Sequence, residues 1–162
     1  MSNDIQNDLN KIKIHEELLV FPEFDEDTAL QLGLLIRERA DQFGPVVVDI
    51  RRGDDQLFFA AAPGTTPANA DWARRKRNLV NKVQQSSFAI NLLARETFDV
   101  IEAMALDPRD HVAAGGCFPI RVVGAGMVGT VTVSGLPQRD DHKLATDCVA
   151  ELLGIDLGDA RF

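Results

Sequence analysis

Gly124-Ala125-Gly126-Met127-Val128-Gly129-Thr130-Val131-Thr132-Val133-Ser134 forces a choice between two architectures. Its first six residues spell G-x-G-x-x-G, the letters of a strand-to-helix turn that holds a dinucleotide pyrophosphate in a parallel sheet. That turn works only if a helix opens at the third glycine, because the helix N-terminus supplies the N–H groups that meet the phosphates. Gly129 is followed instead by Thr130-Val131-Thr132-Val133, an unbroken β-branched run that favours a pleated strand. The glycines are therefore assigned to a hairpin turn, where they supply positive φ and let strands approach closely. The pattern predicts an antiparallel hairpin over 117–123 and 127–134 and sets dinucleotide binding aside.

A second hairpin is expected from the β-prone runs 46–50 and 57–62, joined by the polar turn Arg51-Arg52-Gly53-Asp54-Asp55. Helical spacing fills the rest. Ile5, Leu9, Ile12 and Leu19 mark an amphipathic helix within residues 1–18, resting on the domain or on another subunit, and 18–21 form a short extended piece. Asp25, Glu26 and Asp27 suit the positive end of a helix dipole, and Ala29, Leu32, Leu35, Ile36 and Phe43 supply that helix's core stripe before Gly44-Pro45 ends it. From Asn69 to about Leu106 the pattern is helical, in pieces broken near 85–88 and 96–98. A last helix starts near Pro137 and runs through Leu144, Cys148, Val149 and Leu152 to Gly154. The fold class expected is α/β of the α+β kind, a single domain over residues 1–162 with helices around a central antiparallel sheet of about five strands.

The 162 residues carry 25 Asp and Glu against 17 Lys and Arg, a formal net charge of −8. Such a balance repels phosphate backbones and anionic membrane surfaces, so nucleic acid and membrane are not expected partners. No apolar run approaches the roughly 20 residues needed to span a bilayer, and the polar start with Asp4 and Asp8 lacks the apolar segment of a secretory signal. Cys117 and Cys148 form no CxxC pair and read as buried thiols of a cytoplasmic protein.

Few residues offer chemistry. His15, His111 and His142 fall on three separate elements without metal-ligand spacing, so no metal site is expected. His142 stands out because it lies beside Asp141 just inside the last helix, next to the loop Ser134-Gly135-Leu136-Pro137. Cys117 and His111 can be drawn as a nucleophile and base, but Cys117 belongs to a strand, where nothing stabilises a thiolate.

The sharper signal is Arg74-Arg75-Lys76-Arg77, four consecutive cations in an acidic chain. Trp72, Lys76, Leu79, Val83, Ser86 and Ile90 recur at helical steps, which puts Lys76 on the core-facing stripe. An ammonium aimed inward must meet a carboxylate, a carbonyl, a ligand anion or a route back to water. Two outcomes stand open. Lys76, aided by Arg74 and Arg75, faces an anion-accepting crevice or a subunit interface between helix and sheet, or its stem lies along apolar surface and the charge reaches solvent.

Three patches together, Trp72-Ala73-Arg74-Arg75-Lys76-Arg77-Asn78, Gly115-Gly116-Cys117-Phe118-Pro119-Ile120, and Gly126 through Gln138 with Asp141-His142, resemble the GlcG/HbpS-like (haem-degrading domain) family. They are most similar to its branch of small stand-alone proteins that includes a yeast member. The resemblance spans nearly the whole chain and is most specific in the third patch. It implies a profilin-like, three-layer α/β/α fold and assembly as a homo-oligomer, a dimer or a larger ring. It also implies haem or iron as cofactors of some members, without a haem-ligand motif that transfers to residues here. The function expected is a non-catalytic module binding a small anionic or tetrapyrrole ligand beside Lys76, Arg74, Arg75, Ser134, Gly135, Asp141 and His142. The alternatives are an adaptor for a protein partner, with the first helix as a contact, and an enzyme using His142 and Asp141 on a substrate held by Lys76.

Overall fold

A computed structural model describes residues 2–162. The helices α1 (Asn3–Leu18), α2 (Glu26–Ala40), α3 (Pro67–Val83), α4 (Ser87–Glu96), α5 (Val100–Ala103) and α6 (Gln138–Leu153) surround the strands β1 (Val20–Phe21), β2 (Val47–Arg52), β3 (Asp55–Ala61), β4 (Cys117–Val122) and β5 (Gly126–Ser134). The strands form one sheet in the order β1-β4-β5-β2-β3. Three of its four pairings are antiparallel, and the hairpins β2–β3 and β4–β5 turn where glycines stand, Gly53 at φ 57° and Gly124 at φ 77°. The exception is β1, which lies parallel to β4 through Val20–Arg121 and Phe21–Val122. A parallel neighbour needs a long crossover, and here everything between β1 and β4 supplies it.

The sheet's two faces are unlike. Val46, Val48, Ile50, Phe118, Ile120, Val131 and Val133 point to α2 and α6, where they meet Leu32, Ile36, Leu144 and Val149 in the main apolar core. On the opposite face α3 packs over β5, β4 and β2, and the buried strand residues there include four polar ones, Asp49, Thr130, Thr132 and Ser134, beside Val47, Cys117 and Pro119. A smaller core forms where α1 brings Ile5 and Ile12 against Phe88, Ala89 and Leu92 of α4. The first helix thus rests on its own chain.

Two expectations of burial are corrected. Phe43 is 53% exposed, because α2 ends at Ala40 and residues 41–43 form a turn that no longer follows the helix stripe. Trp72 is 41% exposed at the outer end of its stripe, its ring lying under the Arg75 guanidinium at 4.3 Å. The stripe itself breaks where Gln84 takes a left-handed φ of 55°, yet Ser86 and Ile90 beyond the break are still buried.

Two glycines of the opening stretch do different work. Gly124 has positive φ and open space around it, whereas a Cβ at Gly129 would run into the backbone carbonyl of Arg51 on β2. Gly124→Ala is expected to cost about 1 kcal/mol through left-handed strain alone. Gly129→Ala, which must push β2 off β5, is expected to cost roughly 2 kcal/mol or more. Urea unfolding of the two variants checks the order.

Candidate functional site

The site is built where α3 crosses the end of β5 and meets the start of α6. Thr66 and Asn69 form a reciprocal capping box and Pro67 occupies the first turn, so α3 begins at a fixed point and its phase is set. Lys76 follows on the face toward the sheet and is 3% exposed. Its Nζ donates to Asp141 Oδ2 at 2.9 Å and to the Val133 carbonyl at 3.2 Å. Asp141, in the first turn of α6, also accepts the Leu136 N–H at 2.9 Å and a longer bond from the Gly135 N–H at 3.4 Å. Of the outcomes open for this lysine, the carboxylate and the carbonyl are realised. Burial pushes the Asp141 carboxyl above its ordinary range, while the Lys76 ammonium and the two backbone N–H groups pull it back.

Two glycines are required around this pair. A Cβ at Gly116, φ +132°, would meet the Val133 carbonyl and the Lys76 nitrogen, and one at Gly135, φ +153°, would strike the Pro45 carbonyl. Beside the pair opens a cleft of ≈ 310 Å³, walled by Trp72 and Lys76 of α3, Ala114, Ser134 and Gly135 at the end of β5, and Gln138 and Asp141 of α6. Gln138 is spent on structure, accepting from Gly115 N–H and donating to Asn91.

The remaining cations of the run also have internal partners. Arg74 binds Asp71 and Asp110, Arg75 faces Asp71 at 3.3 Å, and Arg77 reaches Asp49 at 2.5 Å. Neither Arg74 nor Arg75 lines the cleft: Arg74 stays on the outer surface, and Arg75 lies over the Trp72 ring. A second cavity of ≈ 340 Å³ lies between the end of α2 and α6, and each of its cations is paired with a carboxylate of the same wall, Arg39 with Glu151 and both Lys143 and Arg161 with Asp147.

His142 does not line the cleft. One residue after Asp141 on α6 it projects about 100° around the helix and is fully buried among Phe88, Phe118, Phe162 and His15. His15 Nδ1 stands 3.2 Å from His142 Nε2, and His15 Nε2 stands 2.7 Å from the Ala160 carbonyl. A carbonyl only accepts, so His15 carries its proton on Nε2 and presents a bare Nδ1 to a proton on His142 Nε2. His142 Nδ1 is then the unprotonated nitrogen, consistent with its lack of a partner among the described residues. Burial holds both imidazoles below their ordinary range, His142 well below, with the His15 neighbour and Arg139 adding to the effect there. No local spacing announces this contact, whose members lie 127 positions apart.

Against this geometry, the profile of the family described as haem degrading protein HbpS-like matches residues 24–150. The chain belongs to that family. Among its relatives, a UPF0303 protein of Acidobacterium capsulatum is 46% identical over 154 residues, covering 94% of this chain and 93% of that one. A UPF0303 protein of Pseudomonas entomophila is 48% identical over 154 residues, with 94% and 86% covered. Among solved structures, Ybr137w superposes with a TM-score of 0.83 at 24% identity, over 90% of this chain and 87% of that one. The PduOC–haem complex gives 0.65 at 20% identity, over 81% and 94% of the two chains. At these identities the solved structures speak for the fold, and the HbpS-like architecture they share matches the five-stranded, mostly antiparallel sheet found here.

Two predictions follow from the buried groups. Removing one member of an enclosed ion pair strands the other, so Lys76→Met is expected to lower stability by about 3 kcal/mol or more. In the double variant with Asp141→Leu the losses should fall short of the sum of the two singles. Fully additive losses in chemical denaturation would show that the two groups are not coupled.

The histidines set a pH dependence. Their folded pKa values lie below the unfolded value, so between neutrality and acid the unfolded chain binds more protons and stability is lost as pH falls below about 6.5. Glu16 and Asp141, raised by burial, act in the opposite sense in both proteins compared. His142→Leu is therefore expected to flatten the fall in unfolding free energy between pH 7 and 5 by close to one proton's worth of slope.

Proposed function

We propose that this protein is a cytoplasmic, homo-oligomeric, non-catalytic binding module that holds a small ligand in the cleft between α3 and the β5–α6 loop. The ligand class is a planar molecule with an oxygen-bearing edge. The observation that carries this reading is the convergence, in one ≈ 310 Å³ cleft, of the Trp72 indole, the Ser134 side chain and a lysine with a donor to spare. An ammonium has three N–H groups, and Lys76 spends two of them on Asp141 and Val133. Asp141 cancels its charge, so the cleft favours a carbonyl or a single carboxylate oxygen over a multiply charged anion. The volume is at the lower end of the range for small-molecule sites, about 300–1,000 Å³, which suits one edge of a larger ligand.

A tetrapyrrole has both features, a flat face and carboxylate-bearing edges, and membership of the HbpS-like family together with the haem-bound neighbour PduOC supports that class. The non-catalytic part is supported by the pairing of the cleft's ionisable groups with each other and by the distance His142 keeps from it. Exposed Leu30 and Leu34 on α2 and Phe59 on the edge strand β3 offer apolar surface of the kind that subunit contacts use.

Trp72→Ala and Ser134→Ala each remove a wall of the cleft without touching the ion pair. Each is expected to weaken porphyrin binding about tenfold, roughly 1.4 kcal/mol, with unfolding midpoints little changed. Unaltered affinity in both variants, measured by titration calorimetry, would move the site elsewhere.

A further inference from the structure

We infer that the metal of a tetrapyrrole plays no part in what this cleft recognises, so that a metal-free porphyrin is held as well as its iron complex. The inference rests on the reading above and follows from a census of donors. Proteins hold haem iron through an imidazole, a thiolate, a thioether or a phenolate. Asn69, Trp72, Lys76, Ser134, Gln138 and Asp141, which supply the cleft's polar side chains, offer none of these. The Asp141 carboxylate is already held by the ammonium and two N–H groups.

Among the described residues, the rest of the chain does not make up the deficit. The sequence contains no tyrosine. Both cysteines are buried, with thiols pushed up to about 12, so neither presents a thiolate. Met127 sits at the far end of β5 from Ser134, roughly 20 Å away at strand spacing, and Met104 follows α5. His15 and His142 are closed on each other within a ring of phenylalanines. His111 is the one described imidazole with a ring nitrogen outside such a cluster: its Nδ1 donates to the Asp107 carbonyl at 2.9 Å, which leaves Nε2 bare. It lies on the loop leading to Ala114 but is not part of the cleft wall.

The chain's single tryptophan, Trp72, lines the cleft, so its fluorescence reports the site directly. Haemin and metal-free protoporphyrin are titrated in parallel into the full chain and into the Ser134→Ala and His111→Ala variants, with the haemin absorption band recorded alongside. Dissociation constants within about threefold of each other, both weakened about tenfold by Ser134→Ala and neither changed by His111→Ala, support the inference. Haemin bound more than about tenfold tighter than the metal-free ring, with an imidazole-ligated absorption band that His111→Ala abolishes, overturns it while leaving tetrapyrrole binding intact. Quenching by neither probe, or quenching indifferent to Ser134→Ala, overturns the cleft reading and this inference together.

Discussion

Lys76 and Asp141 join the helix above one face of the sheet to the helix below the other, and much of the local geometry is arranged around that contact. An enclosed ion pair repays its desolvation only when both members are saturated with good hydrogen bonds. Here the carboxylate has the ammonium and two backbone N–H groups, and the ammonium has the carboxylate and a strand carbonyl. Meeting those demands fixes other choices. Gly116 must lack a side chain for the groups to approach, Gly135 must lack one for the turn after β5 to lie against the Pro45 backbone, that turn must direct two N–H groups inward, and α6 must begin at Gln138 so that Asp141 falls on its inner side. The cleft is the outer surface of this arrangement.

The same accounting explains how an acidic chain can carry four adjacent cations without a strongly positive patch. Arg74, Arg75, Lys76 and Arg77 are met by Asp71 and Asp110, Asp71, Asp141 and Asp49. The charges of Lys76 and Arg77 seat α3 on a polar sheet face, where Asp49 also receives Gln56 and Arg51. In the proposed binding mode recognition at the cleft would depend on shape and on hydrogen bonds rather than on a long-range field, and the Arg75 guanidinium over Trp72 steadies the indole.

What was legible beforehand was local. The β-branched run after Gly129 identified a hairpin, the polar turn at Gly53 another, and glycine, proline and acidic punctuation marked the helix ends to within a few residues. Helical phase correctly turned Lys76 inward. Phase states which face a residue occupies and not what stands opposite, so the partner 65 positions away remained unnamed, as did the facing histidines on α1 and α6. Trp72 and Phe43 failed for a related reason: a stripe extends only as far as something covers it, and neither the outer end of α3 nor the turn after α2 is covered. The parallel pairing of β1 is set by two residues whose neighbours are chosen by tertiary packing, not by propensity.

Consecutive residues at the start of α6 are therefore anchored in opposite directions. Asp141 is held by α3 and the β5–α6 loop, and His142 by His15 and the aromatic group around Phe162. A helix end fixed from two sides has little freedom to tilt, because either motion would leave a buried polar group without its partner. A ligand that drew Lys76 away from Asp141 would face the same penalty. In the proposed binding mode the spare N–H is offered from a position already set, so a ligand would be met without first rearranging the cleft wall, which limits the entropy lost on association.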